Sequence, residues 1–216
     1  TGAAFTPCPH RLSQGGVTWP AQRQRQVDRG GQGDGGEFGF HAHYSVEDFP
    51  LGRGGAIRQG FSQVPAETES VMVLNGDVIT SEDPEKLLAL FRQRQSADSS
   101  HLASIMVVPM VSPYGLVDLN SEDDVVGFRE KVEMEHWINA GIYVFDRRIA
   151  NLLPELGDHE TETFPALAKA GQISALRSGA FWRSVDSFKD LTEAEEYLVA
   201  HSRSSVASSA ETAGGS

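Results

Sequence analysis

Two aspartates stand directly after short apolar runs, where a strand would end. Asp77 closes the run 71–77 beside Gly76, and Asp186 closes the run 181–186. Carboxylate oxygens suit a divalent cation, and a neighbouring glycine lets a ligand approach the backbone. The alternatives are local: Asp77 as a turn residue that satisfies nearby amides, and Asp186 as the N-cap of a following helix. Spacing alone leaves both alternatives open.

Two further strand ends carry polar side chains. Lys131 follows Glu130 at the end of the run 125–131, and a lysine placed there can hold a phosphate group. The alternative is an exposed surface lysine. Asn139 lies inside the apolar run 137–145, two residues before a glycine, so it needs hydrogen-bond partners. That glycine indicates either a β-bulge or close approach by a ligand.

A glycine-rich segment at 50–56 precedes an expected helix that runs through Ile57. Glycine-rich loops before helices let phosphates or bases reach backbone N–H groups. Such turns are common, so the segment indicates nucleotide binding only in combination with other motifs.

Strands and helices alternate between residues 38 and 201, which predicts an α/β fold with a mixed or mainly parallel sheet covered by helices. Ligands bind at the carboxyl ends of strands in such sheets, which is where the polar residues above lie. The expected strands are 38–46, 70–77, 103–110, 114–119, 125–130 and 137–145, and the expected helices are 83–94, 161–170 and 192–201.

Three helix ends have recognisable signals. Asp83 and Pro84 are typical of an N-cap and a first helical position. Gly171 is placed to end the second helix. Thr192 and Glu195 have the spacing of a capping box for the last helix.

Charge and composition exclude several classes of function. The chain has 216 residues and a net charge of −12, so a general nucleic-acid binder is not expected. Its single cysteine cannot form an intrachain disulfide or a cysteine-rich metal site. No apolar run is long enough for a membrane span, so we expect a cytoplasmic protein without a membrane partner.

Composition also divides the chain into three zones. Residues 1–36 are rich in Gly, Gln and Arg, and from Trp19 onward they show no strand or helix period. We interpret 1–36 as disordered or as the product of a shifted reading frame. Residues 37–201 form the expected globular domain, and 202–216 are the expected flexible tail.

Taken in order, six motifs resemble the sugar-1-phosphate nucleotidylyltransferases: EDFPLGRGGA (47–56), VLNGD (73–77), YGLV (114–117), VGFREK (126–131), WINAGIY (137–143) and FWRSVD (181–186). The last motif is similar to the mannose-1-phosphate guanylyl and glucose-1-phosphate cytidylyl or thymidylyl branches. The resemblance covers roughly residues 33–198 and implies a Rossmann-like α/β/α fold.

The resemblance implies one reaction, in which a sugar 1-phosphate oxygen attacks the α-phosphorus of an NTP and pyrophosphate leaves. The partners would be the NTP and the sugar 1-phosphate, with Mg²⁺ as cofactor, and the chain could form a homo-oligomer. Asp77 and Asp186 would hold the metal, and Asp77, Lys131 and Asp186 would be catalytic. The substrate-binding residues would be Leu51, Gly52 and Gly55 near the nucleotide, and Gly115, Glu130, Lys131 and Asn139 around the sugar phosphate.

The sequence departs from the family at its start. The family's G-x-G-T-R loop and the lysine that follows it have no counterpart, since no lysine precedes Lys86. Arg53 and Gly54 replace the usual Thr-Ala. We therefore expect an N-terminally incomplete domain whose activity is impaired.

Two other functions remain in competition. One is a non-catalytic module that still binds sugar phosphate or nucleotide. The other is a glycosyltransferase that uses a finished NDP-sugar, although the D-x-D pair of such enzymes is reduced here to Asn75-Gly76-Asp77.

Overall fold

A computed structural model of the chain describes the backbone of residues 3–7, 17–21 and 42–211 and the side chains of residues 42–201. Its strands are β1 (Ala3–Pro7), β2 (Val17–Ala21), β3 (Ala42–Val46), β4 (Ser70–Asn75), β5 (Val78–Thr80), β6 (Ala103–Val111), β7 (Leu116–Leu119), β8 (Val125–Arg129), β9 (Glu133–Asp146), β10 (Ile173–Arg177) and β11 (Trp182–Ser184). Its helices are α1 (Gly52–Phe61), α2 (Pro84–Ala97), α3 (Thr163–Lys169) and α4 (Phe188–Glu211), with a 3₁₀ helix at Arg147–Asn151.

The chain divides into two compact units. The first comprises Thr1–Gly76 and Asp83–Gly179. The second comprises Asp77–Glu82 and Ala180–Ser216, and contains β5, β11 and α4. None of the described helices is both long enough and apolar enough to cross a lipid bilayer.

The first unit is built on a seven-stranded sheet in the order β10-β6-β9-β4-β1-β2-β3. The β10–β6 and β2–β3 pairs are parallel, and the other four pairs are antiparallel. A mixed sheet is therefore confirmed and a mainly parallel one is wrong, because β9 inserts antiparallel between β4 and β6. Strands β4, β6 and β10 consequently end at one edge of the sheet, and β9 begins there.

Helices cover both faces of this sheet, which confirms the Rossmann-like α/β/α prediction. Alternate residues of a strand point to opposite faces. Val71 and Val73 of β4 belong to one core cluster with Ile57 and Phe61 of α1. Met72, between them, is buried outside that cluster. Helix α2 packs against β6, β9 and β10.

The expected bounds of the central elements are close to those observed. Asp83 is the N-cap of α2, where its side chain accepts the Glu85 N–H at 2.9 Å. Gly171 follows α3 with a φ of +71°, the left-handed conformation that suits a glycine after a helix. The start of α2 and the end of α3 could be predicted because both depend on residues that are close in sequence.

Two expectations at the ends of the chain differ from the structure. Strands β1 and β2 lie within residues 1–36, and β2 extends through Ala21 despite the lack of a side-chain period from Trp19 onward. Backbone hydrogen bonds from β2 to β1 on one side and to β3 on the other hold the strand without a side-chain period. Helix α4 continues to Glu211, beyond the expected start of the tail, because Ala and Ser residues tolerate a helix. The other residues of 1–36, and 212–216, lie outside the described part, so their expected disorder stays a prediction.

Candidate active site

Asp77 and Asp186 lie at the same end of a two-stranded ribbon in the second unit. Strands β5 and β11 pair antiparallel, with Val78 opposite Ser184. The Val185 N–H then donates to the Asp77 carbonyl oxygen at 2.7 Å. Asp186 is the next residue, so the ladder places its backbone close to that of Asp77, 109 positions earlier in the sequence.

The carboxylate of Asp77 carries an unsatisfied acceptor. Its Oδ1 is buried and has no hydrogen-bond partner within the described residues. A turn aspartate would direct this oxygen to a local amide, so the turn alternative does not account for Oδ1. Leaving a buried acceptor unpaired costs about 1–3 kcal/mol, and more for a charged group. A bound cation would remove that cost, so the residue fits the predicted metal site.

Asp186 is exposed and does not cap the helix that follows it. The cap of α4 is Ser187, whose Oγ accepts the Asp190 N–H at 3.3 Å and donates to Asp190 Oδ2 at 2.6 Å. The Ser187 hydrogen bond also lowers the pKa of the Asp190 carboxyl. The capping box predicted at Thr192 and Glu195 is therefore wrong: α4 begins one turn earlier, and the Thr192 hydroxyl donates to the Phe188 carbonyl at 3.0 Å.

The ribbon is fastened to α4 within the second unit. Arg183 of β11 forms an ion pair with Glu193 and lies 3.9 Å from an Asp190 oxygen. The Phe181 and Tyr197 rings stack with centroids 3.8 Å apart. These contacts hold the strand that leads into Asp186.

Lys131 lies in the first unit, in the turn between β8 and β9. Both Lys131 and Glu130 are exposed, as a ligand-binding residue or a plain surface residue would be. Lys131 has a φ of +53°, which is uncommon for a residue with a side chain and costs about 1–2 kcal/mol. Such strain concentrates at ligand sites, so it favours the functional interpretation.

Asn139 is half-buried in the middle of β9, and its amide is fully engaged as a donor. Nδ2 donates to the Tyr143 hydroxyl at 2.7 Å and to Glu160 Oε1 at 3.0 Å, while Oδ1 accepts the Gly141 N–H at 3.1 Å. The register against β6 shifts between Tyr143 and Asn139, so this segment contains a β-bulge or a related irregularity of the ladder. Bulges re-aim side chains and recur beside active sites.

The glycine-rich segment is not a loop but the first turns of α1. Leu51 is the N-cap, its N–H donates to Glu47 Oε2 at 2.8 Å, and Gly52 has a φ of +77°. A β-carbon at Gly52 would lie 2.4 Å from the Gly157 carbonyl oxygen, and one at Gly55 would lie 2.5 Å from the Glu155 carbonyl oxygen. Close packing of α1 on this neighbouring segment accounts for both glycines. Their role near a nucleotide remains a prediction.

Gly115 directly precedes β7 of the β7–β8 hairpin and lies against a side chain. A β-carbon there would lie 2.4 Å from the Phe128 ring, on the opposite strand. Gly115 and Phe128 are both exposed, so the ring and the glycine form one open surface. Its role in a sugar pocket likewise stays a prediction.

Sequence analysis missed an ion-pair cluster that joins α1 to the segment after the 3₁₀ helix. Arg53 donates from Nε to Asp158 Oδ2 at 2.7 Å and from Nη1 to Glu160 Oε1 at 2.6 Å. Burial acts against the charged form of Arg53, but the Asp158 hydrogen bond and the two carboxylates raise its pKa. The unusual arginine in the glycine-rich motif was the available signal; nothing in the sequence identified partners more than 100 residues away.

His159 lies between these carboxylates and is fully buried. One ligand atom each of Asp158, His159 and Glu160 lie within 4.8 Å of one another, a spacing that a metal could use. Arg53 already supplies the positive charge there. Burial lowers the pKa of His159 to about 4, and neither ring nitrogen has a hydrogen-bond partner in the described part of the chain.

Comparison with known proteins was consistent with these features. The sequence model of the "Nucleotidyl transferase" family matches residues 18–201. A mannose-1-phosphate guanylyltransferase of Mycobacterium tuberculosis is 34% identical over 175 residues, covering 77% of this chain and 47% of that one. A mannose-1-phosphate guanyltransferase of Saccharomyces cerevisiae is 30% identical over 159 residues, covering 71% and 43%. The chain thus spans about half the length of these curated relatives.

Solved structures show the same fold. A Bacillus anthracis protein, provisionally described as a glucose-1-phosphate thymidylyltransferase, has a TM-score of 0.55 at 19% identity, covering 76% of this chain and 68% of that one. HddC from Yersinia pseudotuberculosis, solved with GMP-PN, has a TM-score of 0.51 at 22% identity, covering 73% and 67%. At these identities the likeness concerns the fold alone.

Proposed function

The chain belongs to the nucleotidyl transferase family, and on that premise we propose that it transfers a nucleotidyl group from an NTP to a sugar 1-phosphate. An oxygen of the sugar phosphate forms a bond to the α-phosphorus of the NTP. The bond from that phosphorus to the bridging oxygen breaks, and pyrophosphate leaves with the electron pair. The products are an NDP-sugar and pyrophosphate.

The buried, unpartnered Oδ1 of Asp77 carries this proposal, because a charged acceptor without a donor fits a divalent cation better than it fits a turn. Asp77 and Asp186 would hold Mg²⁺. When bound, Mg²⁺ neutralises phosphate charge.

The chain's other candidate residues have separate tasks. Lys131 would fix the sugar phosphate as a point charge, which orients the attacking oxygen. Glu130 would accept hydrogen bonds from sugar hydroxyls, and Asn139 would contact the same sugar. Leu51, Gly52 and Gly55 would lie near the nucleotide.

The relatives indicate which substrates to try first. Both curated relatives named above are mannose-1-phosphate guanylyltransferases. We therefore propose GTP as the nucleotide and mannose 1-phosphate as the sugar phosphate. The glucose 1-phosphate and dTTP pair is the second choice.

The decisive test measures pyrophosphate release with Mg²⁺, crossing GTP, CTP, UTP and dTTP with mannose and glucose 1-phosphates. We expect turnover on one pair, and its loss in Asp77→Ala. Turnover that survives in Asp77→Ala would remove the proposed metal site. Silence on every pair would overturn the catalytic proposal.

A non-catalytic binding module is the second candidate, favoured by Arg53 of the glycine-rich segment, whose guanidinium already binds Asp158 and Glu160. If that segment offers no free donor to the triphosphate, the leaving pyrophosphate loses charge stabilisation, at about 10²–10³-fold in rate for each donor. Calorimetric binding of mannose 1-phosphate without turnover would support this candidate. Loss of that binding in Lys131→Ala would place it at the same site.

A further inference from the structure

Glu160 links Arg53 to Asn139 through a single oxygen atom. Oε1 of Glu160 lies 2.6 Å from Arg53 Nη1 and 3.0 Å from Asn139 Nδ2. The side chains of Arg53 and Glu160 are 36% and 30% exposed, so water screens the pair only in part. A shift of the Glu160 carboxylate would therefore move the acceptor that Asn139 uses.

The rest of the cluster holds Glu160 in place. The Glu160 N–H donates to Asp158 Oδ1 at 2.9 Å, which forms a tight turn in the backbone. Asp158 Oδ2 in turn accepts from Arg53 Nε at 2.7 Å. One planar guanidinium thus binds two carboxylates of one short segment, and its rigid fork of donors fixes their relative position more closely than a lysine ammonium would.

These contacts determine the orientation of the Asn139 amide. A carboxylate only accepts, so the NH₂ group must face Glu160, and the Gly141 N–H only donates, so Oδ1 must face Gly141. Both Nδ2 hydrogens are then used, the second by the Tyr143 hydroxyl. The amide can then make only one more hydrogen bond, in which a lone pair on Oδ1 accepts.

We propose that Arg53 is a positioning residue that acts through Glu160 on Asn139, and that Asn139 consequently offers a ligand only an acceptor oxygen. This inference rests on the proposed function, because the ligand is the sugar 1-phosphate of that reaction. A sugar hydroxyl can donate to the oxygen, whereas a phosphate oxygen cannot. Asn139 therefore selects the hydroxyl pattern of the sugar, and Lys131 the phosphate.

Arg53→Met removes the charge while keeping an unbranched side chain, and Arg58→Met is its matched control. Arg58 lies on the same helix, is 38% exposed, and also joins α1 to the neighbouring segment, through the Leu153 carbonyl and Glu155. It does not touch the Glu160 oxygen. A loss of stability alone would affect both variants similarly.

In the kinetic test, Arg53→Met raises KM for the sugar 1-phosphate roughly tenfold, with kcat and the KM for the NTP nearly unchanged. Arg58→Met changes neither KM. Combining Arg53→Met with Asn139→Ala is no worse than Asn139→Ala alone, because both act on one contact. Additive losses, or an equal rise in both KM values, would overturn the positioning role. Arg53→Lys replaces Arg53→Met if the latter does not fold.

Acceptor-only recognition has its own probe. Sugar 1-phosphates carrying a deoxy or a deoxyfluoro group at the contacted position should lose affinity equally in the wild-type chain, because fluorine cannot donate a hydrogen bond. Asn139→Ala should remove that penalty. Recovery of affinity by fluorine alone would show that Asn139 donates instead.

An NMR measurement separates failure of this inference from failure of the proposed function. The side-chain Nδ2 proton pair of Asn139 is assigned by its absence in Asn139→Ala. It should shift in Arg53→Met and stay in place in Arg58→Met. An unchanged pair in Arg53→Met would overturn the positioning role. A wild-type chain without turnover would overturn only the function, and this readout would still decide the role of Arg53.

Discussion

Gly141 of β9 lies directly against the side-chain amide of Asn75 at the end of β4. A β-carbon on Gly141 would lie 2.6 Å from Asn75 Nδ2, and the residue has a φ of +75°. The close approach of Asn75 and the positive φ both explain why a glycine stands here, two residues after Asn139. The sequence left a bulge and a ligand approach open for this residue; the structure contains a shift in strand register here, and the ligand approach stays a prediction.

Gly141→Ala should therefore destabilise the chain more than Gly171→Ala does. Gly171 has a similar φ of +71° but open space around it. Its alanine variant should therefore lose only the cost of holding alanine in the left-handed conformation, about 1–2 kcal/mol. Gly141→Ala adds crowding against Asn75, worth about 1–3 kcal/mol more. Urea unfolding of the two variants measures the difference; equal losses would mean that Asn75 moves aside freely.

Lys131→Gly should separate stability from ligand binding. Glycine relieves the left-handed backbone at Lys131, so the free energy of unfolding should fall by no more than a few tenths of a kcal/mol, or rise by up to about 1 kcal/mol. Affinity for the sugar 1-phosphate should drop at least about tenfold with the charge.

Asp123→Gly is the control, since Asp123 is an exposed turn residue with a φ of +64°. It should leave sugar phosphate affinity unchanged. An equal loss of affinity in both variants, measured by calorimetry, would mean that Lys131 acts through the backbone and not through its ammonium.

The free energy of unfolding should decrease as the pH is lowered, because His159 titrates. Its pKa is about 4 in the folded chain, because burial disfavours the imidazolium, and about 6.5 in the unfolded chain. The unfolded state therefore binds the extra proton first. The resulting loss begins below about pH 6.5, is complete near pH 4 and amounts to roughly 3 kcal/mol.

His159→Phe tests the same residue at fixed pH. The variant removes two unpaired ring nitrogens while keeping an aromatic ring beside Tyr143 and Phe164. Thermal unfolding at pH 7 should show a gain of about 1–3 kcal/mol and a flatter acid limb. His101→Phe should bring no gain, because its Nε2 lies 3.1 Å from Ser104 Oγ. A destabilised His159→Phe would indicate a bound partner at His159.

Asp77→Asn should lose activity without losing stability. The residue's buried oxygen has no donor, so neutralising the side chain in metal-free buffer should leave the melting temperature unchanged or raised. Adding Mg²⁺ should raise the melting temperature of the wild type and not that of the variant.

Asp83→Ala provides the opposite pattern. It removes the N-cap of α2 and should cost about 1 kcal/mol while the Mg²⁺ response persists. A Mg²⁺ response retained in Asp77→Asn would place the cation elsewhere.

Local signals were enough to predict part of the fold and of the site. The apolar run before Asp77 forms a buried strand, and Asp83 with Pro84 begins a helix, because each depends on neighbours along the chain. The six motifs identified the family, since their order is a property of the sequence. The polar residues at the ends of apolar runs could be found in the same way.

The tertiary structure decided the rest. The glycines at 52 and 55 lie in a helix because the segment around Gly157 packs against them, which no local pattern indicates. The N-cap of α4 is Ser187 and not the predicted Thr192, since the helix begins shortly after β11 ends. Arg53 meets Glu160 across 107 positions of sequence, and only the fold brings the two charges together. Sequence patterns report neighbours along the chain, whereas these contacts depend on which segments pack side by side.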